Sequence, residues 1–262
     1  MKSSGSDLLY TKNLFKFFDG LKALNGVNIN VKEGNVTLII GPNGSGKTTF
    51  INTVSGFYRA DEGHVYFEGV EITNKPPHEI YRSGIVRTFQ IPQPLKKLTV
   101  LENLLIANEN PGEGVFQSLT PLWKKVEEDM VNKAFDVLEF LKIDHLWDNH
   151  ASQLSGGQLK LLEIGRAMMT DVKLIIMDEP VAGVNPVLAE SILDRITELK
   201  KMGYTFLIVE HRLDLVLPYV DYIYVMANGE VIAEGIESEI MNNKEVIEVY
   251  LGDTYRKSEC RV

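Results

Sequence analysis

Gly41-Pro42-Asn43-Gly44-Ser45-Gly46-Lys47-Thr48-Thr49 follows the apolar run Val36 to Ile40 and precedes Phe50-Ile51-Asn52-Thr53-Val54. No other stretch narrows the possible folds so sharply. It fits G-x-x-x-x-G-K-[ST], a loop that requires a buried strand entering it and a helix leaving it. Gly41, Gly44 and Gly46 let successive backbone amides point into one concavity, and the helix start adds positive potential there. Such a nest suits a polyphosphate. Lys47 is expected to reach the β- and γ-phosphates, and the Thr48 hydroxyl to ligate Mg2+ bridging the same oxygens.

At 262 residues and 44% hydrophobic content, the chain can bury one α/β core or a core with a subdomain. No run of about 18 apolar residues occurs, so no membrane-spanning helix is expected. Met1 to Asp7 lacks the apolar core of a signal peptide. The only cysteine, Cys260, rules out an internal disulfide and suits a reducing compartment. A formal net charge of −9 argues against a broad nucleic-acid-binding face, because such faces neutralise phosphates with Lys and Arg. No direct nucleic-acid partner is expected.

The pattern along the chain predicts an α/β fold around a mostly parallel sheet. Leu8 to Phe18 reads as an edge strand or hairpin ending at Asp19-Gly20, and Val27 to Val31 alternates like a half-buried strand. Gly63 to Gly69 reads as another strand, which gives the opening third an antiparallel β patch beside the nucleotide core. A short helix is expected from Pro76-Pro77 to Arg82, then a strand from Ile85 to Gln90. Thr99-Val100-Leu101-Glu102 has a capping-box pattern. Asn108 to Gly114 reads as a loop, and a helix from Trp123 towards Leu141 carries Met130, Ala134, Val137, Leu138 and Leu141 on one face. Buried strands at Leu174 to Met177 and Phe206 to Val209 flank a helix with Leu188, Ile192, Ile196 and Leu199 on its core face. Ile223 to Met226, Asn228-Gly229 and Val231 to Ala233 form a hairpin.

Two further clusters carry chemistry. The strand Leu174 to Met177 delivers Asp178 and Glu179 at its C-terminal end, where ligands bind in open parallel sheets. Asp178 is expected to hold Mg2+, directly or through water, and Glu179 to act as general base on the attacking water. Leu154-Ser155-Gly156-Gly157-Gln158 opens a helix whose Ser hydroxyl and glycine amides make a second anion-binding N-terminus. Ser155 lies 23 residues before Asp178.

With these motifs in this order, the chain from about Asp7 to Gly252 resembles the ATP-binding subunit of an ATP-binding cassette (ABC) transporter. The resemblance implies a P-loop NTPase core with an N-terminal antiparallel β subdomain and an inserted α-helical subdomain. Within a single domain over 1–262, the core falls at about 1–90 and 171–253, the helical subdomain at about 91–170, and a polar tail at 254–262. It implies ATP and Mg2+ as cofactors, with ATP held by Phe18, Gly41, Asn43, Gly44, Ser45, Gly46, Lys47, Thr48 and Thr49. Gln90 matches the glutamine that senses Mg2+ and the attacking water. His211 matches the switch histidine at the γ-phosphate, and Phe18 the aromatic on adenine, with Phe17 and Tyr10 as neighbours that could serve instead.

The resemblance further implies that Ser155, Gly156, Gly157 and Gln158 contact the ATP of an opposing subunit, so two cassettes join as a homo- or heterodimer. Membrane permease subunits are the implied partners, and the cytoplasmic face of the plasma membrane the implied location. Gly84 to Gln90, Leu98 to Leu104 and Glu179-Pro180-Val181-Ala182-Gly183-Val184-Asn185-Pro186 resemble branched-chain amino acid importers, with Asn185 where most cassettes carry Asp. Lipopolysaccharide export is a related alternative. A soluble ABC ATPase of translation or DNA repair would bring tandem cassettes, a long coiled-coil insertion or basic arms, and none is present.

Overall fold

A computed structural model of the chain describes residues 6–88, 93–107 and 122–249. Two sheets and a set of helices are assembled around two hydrophobic clusters. The larger sheet has six strands in the order β11-β10-β4-β9-β8-β7: β4 (Val36–Ile40), β7 (Ile85–Arg87), β8 (Leu174–Asp178), β9 (Thr205–Val209), β10 (Tyr222–Ala227) and β11 (Glu230–Gly235). All pairs are parallel except the terminal hairpin β10–β11. β4, β8 and β9 are buried along their whole length, which is why each reads as an unbroken apolar run.

Side-chain alternation divides this sheet between the two clusters. Leu38, Ile40, Ile175, Met177, Phe206 and Ile208 face one cluster with the helices α3 (Val100–Leu105), α4 (Leu122–Phe140), α5 (Gly156–Met168) and α6 (Pro186–Lys201). Ile39, Ile176, Leu207, Val209 and Met226 face the other. There they meet helix α1 (Lys47–Val54) and a five-stranded antiparallel sheet. That sheet holds β1 (Asp7–Phe18), β2 (Leu21–Val27), β3 (Asn30–Lys32), β5 (Glu62–Phe67) and β6 (Val70–Glu71). Phe50, Ile51 and Val54 of α1 are thereby buried between two sheets, fixing the helix that carries Lys47.

Most expected elements form, with informative differences. The first strand is not an edge: β1 pairs with β2 on one side and β5 on the other, while β3 also pairs with β1. Its polar residues do not mark an exposed rim, because only one face of this sheet packs on the core. The Val27 to Val31 strand is divided into the end of β2 and β3. Thr11 causes the break, accepting from the Ile29 amide at 3.0 Å and donating to the Val27 carbonyl at 3.1 Å.

Helix α2 (Pro77–Arg82) starts with Pro at its first position, as read. Thr99 caps α3 through the full capping box with Glu102. Asn185 caps α6 by accepting from the Leu188 amide at 3.0 Å, with Pro186 behind it. The expected loop at Asn108 to Gly114, the end of the Ile85 to Gln90 strand and the polar tail lie outside the described residues.

Candidate nucleotide-binding and hydrolysis site

The loop from Gly41 to Gly46 leaves β4 at the C-terminal edge of the parallel sheet and enters α1. Gly46 stands at the helix entry with φ +104°, in the left-handed region, and a Cβ there would lie 2.5 Å from the Ala23 carbonyl oxygen. A side chain is excluded on both counts. The turn Asn228-Gly229 braces the loop from outside: the Gly229 amide donates to the Ser45 carbonyl at 3.0 Å, and the Gly229 carbonyl accepts from Asn25 at 2.8 Å.

Lys47 folds back over this loop. Its ammonium donates to the Gly41 and Pro42 carbonyls at 2.8 Å each and to Ser45 Oγ at 3.3 Å. Burial pushes its pKa down, while the charges of Glu179 and Asp178 pull it back up. Beside it opens a cavity of about 480 Å3 lined by Phe18, Asn43, Gly44, Gly46, Lys47, Thr48, Thr49, Glu179 and His211. Leu21, Lys22, Ala23, Val209 and Asn228 complete the wall.

Strands β8 and β9 are adjacent and parallel, with Asp178 paired in register to Val209. The segments that follow them therefore emerge side by side, and His211 Nε2 comes 3.4 Å from Glu179 Oε1. Glu179 has φ +52°, uncommon for a residue with a Cβ. Asp178 sits behind the cavity wall, 7% exposed, where its carboxylate faces Arg87 at 3.4 Å. Burial pushes its pKa up and the guanidinium opposes that shift. Arg87 also donates to Asn52 Oδ1 on α1 at 2.5 Å, so β7, β8 and α1 are tied together beneath the loop.

Gly41 and Ser45 are buried behind the loop surface. Of the three aromatics considered for the base, only Phe18 lines the cavity: 39% exposed, it packs edge-on against Tyr58 with centroids 5.3 Å apart. Tyr10 stacks instead on Tyr66 at 4.8 Å, and Phe17 leans on Phe15. Ser155, Gly156, Gly157 and Gln158 are not brought to this cavity. They form the start of α5, where the Ser155 hydroxyl accepts from the Gln158 amide and the Gln158 side chain accepts from the Ser155 amide. Gln90 lies outside the described residues.

Sequence reading missed four contributors. The Asn228-Gly229 turn is legible as a turn, but nothing local shows that it touches a loop 180 residues earlier. Arg87, Lys160 and Glu210 carry no local signal either, because each has a partner on another element that only folding brings near.

A phosphate loop between a buried strand and a helix, with Glu179 and His211 on the same cleft and Asp178 just behind its wall, is the arrangement of a P-loop nucleoside-triphosphatase. The family model "ABC transporter" matches residues 24–182, and a second, "Branched-chain amino acid ATP-binding cassette transporter", matches residues 230–256. A probable branched-chain amino acid transport ATP-binding protein LivG from Archaeoglobus fulgidus is 71% identical, over 97% of this chain and 99% of the relative. A crystal structure of the ADP conformation of an ATP-binding cassette of an ABC transporter is 57% identical, with a TM-score of 0.83 over 94% of this chain and 99% of that one. A further cassette, seen as a dimer in a post-hydrolysis state bound to ADP and Pi, is 27% identical with a TM-score of 0.71, over 87% and 98%. The chain belongs to the ATP-binding cassette transporter family. It binds ATP and is an ATPase subunit of a transporter.

Proposed function

We propose that this ATPase subunit powers import of branched-chain amino acids through separate permease subunits, docked at the cytoplasmic face of the membrane. The observation that carries this reading is the 71% identity to the Archaeoglobus relative across almost the whole of both chains. No helix among the described residues is long and apolar enough to cross a membrane, and in this reading the permeation path is supplied by partners.

In the proposed cycle, the amides from Asn43 to Thr49 cradle the triphosphate and Phe18 stacks on adenine. Lys47 leaves the loop carbonyls for the phosphates when they arrive. Thr48 and Asp178 offer a hydroxyl and a carboxylate, hard oxygen donors that fit Mg2+ carried in with the nucleotide. Mg2+ supplies charge neutralisation at the phosphates. Glu179 takes the proton of the attacking water and His211, 3.4 Å from it, contacts the γ-phosphate.

One phosphate loop and one Ser155 to Gln158 helix start per chain, lying apart, complete two sites when two cassettes pair about a two-fold axis. The pair would be a homodimer or a heterodimer with a related cassette, with Gln90 sensing the metal and water. Glu179→Gln is expected to bind ATP normally, accumulate the dimer and lose turnover by at least about a hundredfold, measured by phosphate release and size-exclusion chromatography. Affinity isolation of the tagged chain from gently solubilised membranes tests the transport role. Multi-span permeases should co-purify; recovery with ribosomes or DNA-processing proteins alone would overturn it.

A further inference from the structure

The short segment after β8 is held by two buried charges on other elements, and neither belongs to the catalytic set above. Lys160, on the first turns of α5 and 7% exposed, donates its ammonium to the Glu179 carbonyl at 2.7 Å and the Ala182 carbonyl at 2.9 Å. Glu210, 1% exposed, accepts from the Val181 amide at 2.8 Å with one oxygen. Its other oxygen accepts from the amides of His211 at 2.8 Å and Arg212 at 3.2 Å. The Glu179 amide is meanwhile committed to the Val209 carbonyl at 2.8 Å.

An apolar side chain at either position would avoid the cost of burying a charge. What the charges add is geometric. Glu179 has φ +52°, a conformation that persists only when its surroundings fix it. Its amide and carbonyl are both fixed; further along, Glu210 holds the Val181 amide, Lys160 holds the Ala182 carbonyl, and the Ala182 amide closes a turn onto the Glu179 carbonyl at 3.2 Å. The Glu210 carboxylate also ties the backbone of His211 to the segment that follows Glu179.

We propose that Lys160 and Glu210 are positioning residues for hydrolysis: together they hold the Glu179 backbone so that its carboxylate faces the cleft and His211. This rests on the reading of Glu179 as general base. Lys160 shares its helix with Ser155 to Gln158, so the same ammonium links the helix start that would face the opposing subunit's ATP to the base of its own subunit.

The test uses the full chain with Mg2+ and ATP. Lys160→Met, which keeps the stem and removes every donor, and Glu210→Gln should each lower kcat at least about tenfold, since a misplaced general base forfeits that much. The KM for ATP should stay within about twofold, because neither group touches the cavity, and Lys160→Arg should recover much of the loss. Glu179→Gln is measured alongside. If it turns over like wild type, the base reading fails and the proposal with it. If it is inactive while Lys160→Met and Glu210→Gln keep wild-type kcat, the positioning role alone is overturned. ATP binding that falls in step with kcat would also overturn it, since that marks general damage. Should Lys160→Met not fold, Glu210→Gln and Lys160→Arg decide: the first must lose kcat and the second keep it.

Discussion

Lys47 makes three hydrogen bonds within its own loop, so its role does not begin when nucleotide arrives. In the free protein the ammonium gathers the Gly41 and Pro42 carbonyls, and their oxygens lose their partner if it is removed. Lys47→Ala is therefore expected to weaken ATP binding by at least about tenfold, and also to lower the thermal midpoint without nucleotide. Equilibrium binding and a melt of the free protein check the two halves separately. At this scale the sequence was legible wherever function is local. Gly41 to Thr49 could be read because neighbours in the chain share one task. Arg87, Lys160 and Glu210 could not, since a buried charge is recognisable only through partners that folding brings from 91, 19 and 29 residues away.

Among the elements, α5 separates two adjacent glycines by cause. A Cβ on Gly157 would lie 2.0 Å from Leu188 Cδ2 and 2.7 Å from Leu188 Cγ, whereas one on Gly156 meets nothing within 4 Å. Gly157→Ala should cost about 1–3 kcal/mol of stability through overpacking against α6. Gly156→Ala should leave the denaturant midpoint unchanged and still impair the ATP-dependent dimer, because in the proposed pairing that helix start meets the opposing subunit's ATP. The outer end of β1 makes a second case. Asp61 accepts from the Phe17 amide at 2.6 Å and pairs with Lys16 at 3.1 Å, holding the strand just before Phe18. Asp61→Ala should raise the KM for ATP by roughly two- to fivefold with kcat unchanged.

The Phe17 amide, and then Lys16, hold the Asp61 carboxyl below its ordinary value of 3.8. A lowered acid stabilises the fold fully above its unfolded pKa and loses that contribution as pH falls through the folded one. Wild type and Asp61→Ala should thus differ in stability at neutral pH and converge on acidification below about pH 4. Strand identity was readable from burial on both faces in β4, β8 and β9. The neighbours of β1 were not, because hydropathy alternation says which face is wet and nothing about which strands lie alongside.

For the whole molecule, a net charge of −9 on each copy opposes pairing through self-repulsion. Raising the salt from low to physiological concentration shortens the Debye length to about 8 Å. The ATP-bound Glu179→Gln dimer should accordingly become more populated across that range in sedimentation or size-exclusion experiments. A dimer that weakens with salt would place attractive ion pairs in control instead. The architecture was legible as a class from the alternation of strands and helices. The order β11-β10-β4-β9-β8-β7 was not, because it places strands side by side that lie some 170 residues apart.

That strand order also governs the moment at which the protein can first hold ATP. β4, which feeds the phosphate loop, lies between β9 and β10, its only neighbours in the sheet among the described residues, and the loop's outer brace is Gly229. During synthesis the Gly41 to Thr49 segment leaves the ribosome early, and β4 must wait for β9 until about four-fifths of the chain has been made and for β10 and the Gly229 brace until nearly nine-tenths. Nucleotide binding is therefore expected only after most of the chain has been made. A ribosome stalled before residue 229 should carry a chain that does not retain ATP, and truncation there should yield a product for proteases rather than a partly working cassette.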